Sequence, residues 1–485
     1  LGALGGLLAL VALGEALRRA GVRAATTRRV VHAGVGLFVA GTPMVFASPG
    51  PVYVLAVLFV AANYVAHRRG WWAGIHQARP ESLGTVTFPL ALLPALAIGW
   101  SWDPDHRFAL QAAFLILAVS DPLAAAVGER RGRQVALGRA AKSMAGGLAF
   151  AASAFAICAL TLVGWRHAGA LDWAAADVVL ASGVVAVVTA MTEALGGRGW
   201  DNFFVVLAAM IPLVAWEAHP DLRGAMALGA ASALPFSTLA WRLRVLSPSG
   251  ALAGGLLAAS LVGLGGVAWA VPGFVFFVLS SALSRVGRRR KRAPAARSEK
   301  GAVRDAGQVY ANGAVGWALL IAHALWPHPL LYWGFLGSFG AAAADTWATE
   351  LGALSKRRPR LVTTGERVPR GTSGAVSALG TAAAVAGTAS VALSAWAVAP
   401  DAFRPLGPIA GLGLVVAAGV AGAWVDSLVG ATVQAQYRAP DGGTTERPGG
   451  RLLRGHPWMT NDRVNALCTA AGAFVGAAGA AAIAG

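Results

Sequence analysis

Long apolar runs recur along the chain and are separated by short polar segments. A helix needs about 20 apolar residues to cross a hydrocarbon core of roughly 30 Å. The pattern therefore predicts an all-α, polytopic integral membrane protein with about sixteen transmembrane helices, the first of them a membrane helix and not a cleaved signal peptide. The predicted spans lie at roughly 1–17, 30–47, 51–66, 84–100, 108–127, 143–164, 176–196, 203–218, 222–240, 249–265, 267–284, 307–326, 330–354, 372–398, 406–434 and 464–484.

Basic residues are distributed unequally between alternate loops. One set of loops holds 36 of the 40 Lys and Arg residues, and the other set holds only Arg107, Arg166, Arg223 and Arg404. Positively charged loops remain in the cytoplasm, so the rich set is predicted to be cytoplasmic and both termini external. The strongest run, 285–300, is either a topogenic loop facing anionic lipid or a segment that steers phosphate. We expect a bacterial-type inner membrane location.

Composition agrees with a membrane protein, since 56% of residues are hydrophobic and 13% are charged, against about 25% charged in soluble domains. A net charge of +18 resembles that of nucleic-acid-binding proteins. In a membrane protein it more often reflects cytoplasmic loops, anionic lipid or a polyphosphate substrate, so no nucleic acid partner is expected. Cys158 and Cys468 lie far apart in apolar runs and predict neither a disulfide framework nor a CxxC metal site.

Acidic residues near the membrane carry the functional information, because a carboxylate there is costly unless it is paired, hydrated or bound to a cation. The relevant side chains all fall toward the predicted cytoplasmic ends of spans. This common location predicts sites at the inner interface, open to cytosolic nucleotide. The five candidates for catalysis and for Mg²⁺ binding are Asp121, Glu193, Asp345, Glu350 and Asp426.

The first cluster begins with Asp121 and Gly128, which are seven residues apart and share a helix face. Lys142 and Ser143 follow in the sequence, and Gly146 and Gly147 come shortly after them. An Asp that holds Mg²⁺ beside a Lys and glycine-rich backbone is suited to polyphosphate. The alternative is a helix-ending Asp-Pro followed by a topogenic loop.

A second group of oxygen ligands, Glu193, Asp201 and Asn202, lies on the next cytoplasmic loop and is predicted to meet the first cluster. Helix capping by Asp201 or Asn202 is the alternative. His32 follows two arginines on the first cytoplasmic loop, where it has either a structural role or a phosphate contact.

The second half repeats this arrangement with other residues. Asp345 and Thr349 share a helix face and Glu350 lies obliquely to them. A Gly/Thr/Ser turn is predicted to open the next helix and to offer backbone N–H groups to an anion. Further polar positions are predicted on the same membrane face: Asn312, Lys356, Arg360, Thr372, Asp426, Gln434, Asn461 and Asn465.

Residues 28–215 resemble the polyprenol and phytol kinases, which are related to dolichol kinase and to CTP-dependent phosphatidate cytidylyltransferases. The resemblance lies in these sequence motifs: Arg28-Arg29-Val30-Val31-His32, Glu81-Ser82-Leu83-Gly84-Thr85, Asp121 through Gly128, Lys142-Ser143, Thr192-Glu193 and Asp201-Asn202.

Residues 222–485 resemble an uncharacterised membrane family that includes the plant phytyl-phosphate kinases. The resemblance is carried by Gln308-Val309, Asn312-Gly313, Asp345-Thr346-Trp347-Ala348, Glu350-Leu351-Gly352, Leu354-Ser355-Lys356, Pro359 through Thr364, Gly371-Thr372, Asp426-Ser427-Leu428, Gln434, Asn461 and Asn465.

The two resemblances together imply a fusion of consecutive enzymes, with domains at 1–218 and 222–485. The first would phosphorylate an isoprenoid alcohol such as phytol, with CTP or another nucleoside triphosphate as donor, and the second would convert the monophosphate to the diphosphate. Mg²⁺ is the expected cofactor. The predicted substrate-binding residues are His32, Lys142, Ser143, Asp201 and Asn202 in the first site, and Asn312, Lys356, Arg360, Thr372, Gln434, Asn461 and Asn465 in the second. A lipid cytidylyltransferase and a transporter or flippase remain as alternatives.

Overall fold

The structure is a computed structural model. It describes residues 2–71, 82–131, 134–137, 140–287, 303–439 and 444–484, apart from the side chains of residue 3 and of residues 131–141. The chain divides into two compact units, residues 1–231 and 232–485. Both are built from membrane-length helices, and the strands among the described residues are short and lie between the helices. The predicted all-α polytopic membrane fold is confirmed.

Among the residues that the structure describes, eight long helices and one small hairpin lie wholly within the first unit. Its strands pair antiparallel, with Gln134 opposite Ser143, in a segment that the sequence predicts only as a loop. The elements are α1 Gly2–Arg19, α2 Ala24–Val45, α3 Gly50–Arg69, α4 Gly84–Leu96 with a π-helical turn Ala97–Ser101, the 3₁₀ turn Pro104–His106, α5 Arg107–Arg131, β1 Gln134–Leu137, β2 Ala140–Ser143, α6 Met144–His167, α7 Ala175–Leu195, α8 Asp201–Ala218 and the 3₁₀ turn Pro220–Leu222.

Helix α5 lies at the centre of the first unit and packs against α2, α6 and α8. Its residues Phe108, Phe114 and Ile116 are fully buried. Because this helix is enclosed on several sides, its polar end at Asp121 is held in a fixed position relative to α2 and α6.

The second unit begins within α9, since the boundary between the units falls inside this helix. Its elements are α9 Arg223–Arg242, α10 Pro248–Leu283, α11 Ala306–Leu325, α12 Pro329–Gly352, β3 Arg360–Leu361, β4 Ala375–Val376, α13 Ala378–Val398, α14 Pro400–Phe403, the 3₁₀ turn Arg404–Leu406, α15 Pro408–Thr432, β5 Gln436–Arg438, β6 Thr444–Thr445, β7 Leu452–Arg454 and α16 Asn461–Ala484. β3 pairs antiparallel with β4, and β5 lies between β6 and β7.

Helix α12 is the core of the second unit, and every residue from Tyr332 to Ala344 is buried. It packs against α11, α13, α15 and α16. A Cβ on Gly337 would lie 2.1 Å from the carbonyl oxygen of Gly472 on α16. Small residues therefore let these backbones touch, as is usual for helices that pack inside lipid, and they hold the polar end of α12 beside α15 and α16.

Helix α10 covers two predicted spans and reverses direction at Gly266. Gly266 has φ 58° and ψ −156°, which is not helical. A Cβ on Gly273 would lie 2.8 Å from Cδ1 of Leu261, although twelve residues of straight helix span about 18 Å. The two halves of α10 therefore pack against each other, as the prediction of two spans requires.

Helices occupy every predicted span, but the number sixteen is not confirmed. Within the described ranges, ten helices are long and apolar enough to cross a membrane by length and composition. One predicted start is wrong: the span predicted from 372 begins at Ala378, after a turn and strand β4. Ser377 is its N-cap and accepts a hydrogen bond from the backbone N–H of Gly380 at 3.1 Å.

Candidate active sites

The first candidate site forms where α5 meets the beginning of α6. Gly128 lies against the first turn of α6, because a Cβ there would be 2.7 Å from Ser143 Oγ. Ser143 caps α6 by accepting a hydrogen bond from the N–H of Gly146 at 3.0 Å. The absence of a side chain at Gly128 therefore lets the beginning of α6 approach α5 closely. The Ser143 hydroxyl stabilises the helix, and its phosphate-binding role stays a prediction.

Lys142 joins the two predicted groups of polar residues. Its ammonium forms an ion pair with Glu193 and lies 3.8 Å from Oδ2 of Asp201. Burial lowers the pKa of Lys142, but the carboxylates of Glu193, Asp201 and Asp121 more than offset it, so the pKa is raised. The ammonium therefore stays charged and neutralises part of an otherwise acidic site.

His32 brings α2 to the same site. Its Nε2 lies 3.0 Å from the carbonyl oxygen of Leu117 and 3.9 Å from Oδ2 of Asp121. The side chain of Asp121 is 31% exposed, so solutes can reach it. His32 is therefore held against α5 and also faces the predicted metal ligand.

Asn202 is buried and donates a hydrogen bond to the carbonyl oxygen of Gly84 at 2.8 Å. Asp201 accepts a hydrogen bond from the N–H of Asn202 at 3.2 Å, and no side chain caps α8. The capping alternative is therefore not what this structure shows. Asn202 connects α8 to α4, and its role toward substrate stays a prediction.

An apolar cavity of about 110 Å³ adjoins this polar cluster. Arg28, His32 and Asn202 form part of its lining. From there it follows α2 as far as Thr42, which is about 21 Å of helix. The remaining lining is largely apolar and comes from α1 to α4, including Leu7, Val35, Phe38, Val52, Phe59, Phe88 and Leu92.

The second candidate site is a polar cavity of about 630 Å³ in the second unit. It lies at the ends of α12 and α15 and the beginnings of α11 and α16. Most of the residues predicted for this site line it: Asn312, Asp345, Glu350, Thr372, Asp426, Asn461 and Asn465.

Carboxylates dominate this cavity, and Glu446 joins the three predicted ones. Asp426 experiences the negative charges of both Asp345 and Glu446. The amide nitrogen of Asn465, turned toward Asp426, lies 3.3 Å from Oδ2. So many acidic groups in one cavity favour binding of a cation.

Two arginines, Arg304 and Arg370, also line the cavity. The charges of Glu350 and Asp345 act on Arg304. The sequence places Arg304 in a basic loop and Arg370 in the polar segment before Thr372, but it did not predict either arginine, or Glu446, as a site residue. A signal for Arg304 was present: Asp305 and Gln308 form a capping box, which fixes the start of α11 and so places Arg304 directly before it.

Three predicted residues do not line this cavity. Lys356 and Arg360 are exposed, and Arg360 donates to the carbonyl oxygen of Gly365 at 2.8 Å. Gln434 is buried, accepts a hydrogen bond from Ser373, and its Nε2 lies 3.5 Å from Oδ1 of Asn461. Gln434 therefore supports the lining from behind, and a direct role of the three toward phosphate stays a prediction.

Comparison with known proteins bears on the second unit. The profile described as "Integral membrane protein DUF92" matches residues 231–473, half of the chain. This chain belongs to the DUF92 family. The match ends within α16 and includes the whole acidic cavity, so that cavity lies in the DUF92 region.

Several curated proteins are similar to this DUF92 protein. An uncharacterized membrane protein of Methanocaldococcus jannaschii is 33% identical over 201 residues, which are 41% of this chain and 71% of that protein. Protein PGR of Arabidopsis thaliana is 30% identical over 240 residues, 45% of this chain and 81% of that protein. An uncharacterized membrane protein of Synechocystis sp. is 28% identical over 222 residues, which are 44% of this chain and 76% of that protein. No solved structure matches the chain.

A metal site made by protein ligands alone is not present in the described residues, where no three His, Cys, Asp or Glu side chains are grouped as metal ligands. Mg²⁺ usually takes one or two carboxylates and completes its shell with water and substrate phosphates. The acidic cavity of the DUF92 region suits such a shell because its carboxylates outnumber its arginines. In the first site, Lys142 already neutralises Glu193, so Asp121 is the carboxylate best placed for a metal.

Proposed function

We propose that this protein phosphorylates an isoprenoid alcohol in its first unit and the resulting monophosphate in its second unit. The observation that carries the proposal is the acidic cavity of about 630 Å³, which Asp345, Glu350 and Asp426 line together with Arg304 and Arg370. Carboxylates that bind a metal ion and guanidinium groups that bind phosphate both stabilise the charge that develops in phosphoryl transfer. The resemblance to prenol and prenyl-phosphate kinases supports the same reaction.

In the first unit the hydroxyl oxygen of the alcohol attacks the γ-phosphorus of the nucleotide. The bond to the β-phosphate oxygen breaks, leaving prenyl monophosphate, a nucleoside diphosphate and a proton. The apolar cavity along α2 suits an aliphatic chain whose hydroxyl lies near Arg28 and His32. His32 and Asp121 orient the hydroxyl, and Lys142 contributes positive charge toward the donor phosphates.

In the second unit a phosphate oxygen of the monophosphate attacks a second donor, giving prenyl diphosphate and a nucleoside diphosphate. One or two of the carboxylates of Asp345, Glu350 and Asp426 would hold Mg²⁺, with water and substrate phosphates as its other ligands. Asn461, Asn465, Asn312 and Thr372 complete the polar wall. The metal ion, when bound, neutralises charge on the transferring phosphates. Arg370 and Arg304 hold the phosphates in line.

Asp121→Asn and Asp345→Asn test the two sites separately. The assay supplies CTP or ATP, Mg²⁺ and phytol, geranylgeraniol or farnesol. Asp121→Asn should slow formation of the monophosphate by about 100-fold or more. When prenyl monophosphate is added directly, this variant should still convert it to the diphosphate. Asp345→Asn should accumulate monophosphate. Chromatography of the lipid products measures both. Asp103→Asn and Asp401→Asn, at exposed positions outside the two sites, are the matched controls.

Retention of both steps in both variants would refute the site assignments. Release of pyrophosphate in place of nucleoside diphosphate would identify a cytidylyltransferase instead. Substrate movement into liposomes without nucleotide consumption would identify a transporter, although transporters usually place ionisable residues near the bilayer centre.

A further inference from the structure

A narrow apolar slot opens beside the acidic cavity of the second unit. Its walls are side chains of α9 and α10, among them Phe236, Leu257, Leu261, Phe274 and Phe277. Arg304, Gln308 and Asn312 line both the slot and the acidic cavity. The two spaces therefore meet at the beginning of α11, where an apolar lining changes to a charged one.

Glycines leave the space that the slot occupies. A Cβ on Gly313 would lie 2.7 Å from Cδ2 of Leu257, and a Cβ on Gly254 would lie 3.0 Å from Cδ1 of Leu246. The slot measures about 60 Å³, whereas an apolar cavity that holds benzene measures about 150 Å³. It therefore has room for a short stretch of aliphatic chain, with the remainder passing between helices toward lipid.

Arg304 is fixed at the mouth of this slot by its backbone. Its carbonyl oxygen accepts a hydrogen bond from the N–H of Ser247 at 3.0 Å, and a Cβ on Gly250 would lie 2.2 Å from that oxygen. Burial lowers the pKa of Arg304, and the carboxylates of Glu350 and Asp345 partly offset this. An arginine stays protonated even so, and its planar fork binds phosphate through two hydrogen bonds.

We propose that the slot binds the first few carbons next to the phosphate of a prenyl monophosphate and that Arg304 binds the phosphate. Gln308 and Asn312 lie at the same mouth and supply polar contacts beside the guanidinium. The monophosphate would thus sit between an apolar wall and the carboxylates that hold the metal and donor. The identity of the ligand rests on the proposed function, and it makes Arg304 the residue that distinguishes a phosphate from an alcohol.

Direct binding tests this site without turnover. The full chain in nanodiscs is equilibrated with radiolabelled geranylgeranyl monophosphate in the absence of nucleotide. Arg304→Gln should weaken binding of the monophosphate by about tenfold or more, because a charge-assisted hydrogen bond is lost, and should leave binding of geranylgeraniol unchanged. Arg304→Lys keeps the charge but loses the planar fork, so its affinity for the monophosphate should lie between those of the wild type and Arg304→Gln.

A second variant tests the apolar wall independently of Arg304. Ala258 lines the slot, and Ala258→Leu should fill it and weaken monophosphate binding by about tenfold. Ala259→Leu is the matched control, since Ala259 is as buried as Ala258 but does not line the slot. Melting temperatures in nanodiscs establish that each variant is folded.

Unchanged monophosphate affinity in folded Arg304→Gln and Ala258→Leu would overturn the inference even if the wild type makes diphosphate. Conversely, binding that depends on Arg304 and Ala258 without any diphosphate formation from CTP or ATP would refute the kinase proposal and leave this ligand site standing. The two failures therefore give different results.

Discussion

At the scale of single residues, the first site depends on a lysine that the sequence predicts only as a phosphate ligand. Lys142 pairs with buried Glu193 and lies near Asp201. Removing one partner of a buried pair leaves the other charge without compensation, which costs more than the pair itself contributes. Lys142 therefore supports the structure of the site as well as its charge.

Lys142→Met should destabilise the protein by about 3–5 kcal/mol, because Glu193 is then buried without its partner. Adding Glu193→Gln to this variant should recover much of the loss. Thermal melting in detergent measures both. Arg29→Met removes the pair with Glu129, whose side chain is 55% exposed, and should cost under about 1 kcal/mol. Equal effects of the two single variants would contradict the buried pair.

The same pair has an expected pH dependence. Since the pKa of Lys142 is raised, its stabilising contribution is present below the ordinary lysine pKa and is lost only as pH rises through the raised value. The difference in melting temperature between wild type and Glu193→Gln/Lys142→Met should therefore not shrink between pH 7 and pH 9. A steady decline over that range would show that Lys142 titrates there.

At the scale of secondary-structure elements, the helical hairpin within α10 determines where the apolar slot lies. The reversal at Gly266 brings Leu261 against Gly273 and places aromatic residues of the second half opposite the first. The backbone angles of Gly266 are available almost only to glycine. A Pro or a polar turn usually marks such a reversal, and this one occurs inside an apolar run.

Gly266→Ala should lower the stability of the second unit by about 1–3 kcal/mol, because the Cβ is incompatible with its backbone angles. Gly413→Ala is the control: Gly413 lies in the second turn of α15, and a Cβ there meets nothing within 4 Å. It should be neutral or stabilising by about 0.5–1 kcal/mol. Denaturation monitored by tryptophan fluorescence compares the two, and no loss in Gly266→Ala would contradict the hairpin.

At the scale of the whole molecule, the charge asymmetry of the loops predicts which ends of the helices face the cytoplasm. Both native cysteines are buried, so the protein offers little background for thiol labelling. Arg242 lies in the basic set of loops and Arg404 in the other set, and both positions are exposed. They form a direct test of topology within the second unit.

Arg404→Cys should react with a membrane-impermeant maleimide added to intact cells, whereas Arg242→Cys should react only after permeabilisation, because positively charged loops are retained inside. The wild-type protein is the control for background labelling. Labelling of both variants from one side would mean that the span count between them differs from the prediction, and the cytoplasmic location of the acidic cavity would lose its support.

By itself the sequence determined the fold class, the helix positions and most of the acidic cavity. Hydrophobic length and loop charge are local properties, and they are read without knowing which helices touch. Asp345, Asp426 and Asn465 could be predicted as site residues from the sequence, because a polar residue at a helix end near lipid is costly without a function.

Only the tertiary structure decided which of these residues meet. It paired Lys142 with Glu193, buried Gln434 behind the cavity, left Lys356 and Arg360 exposed, and brought in Arg304 and Glu446. The physical reason is that such contacts depend on the glycine-mediated approach of helices that are distant in sequence. This approach leaves no periodic signal along the chain, but it determines where charged and apolar spaces adjoin.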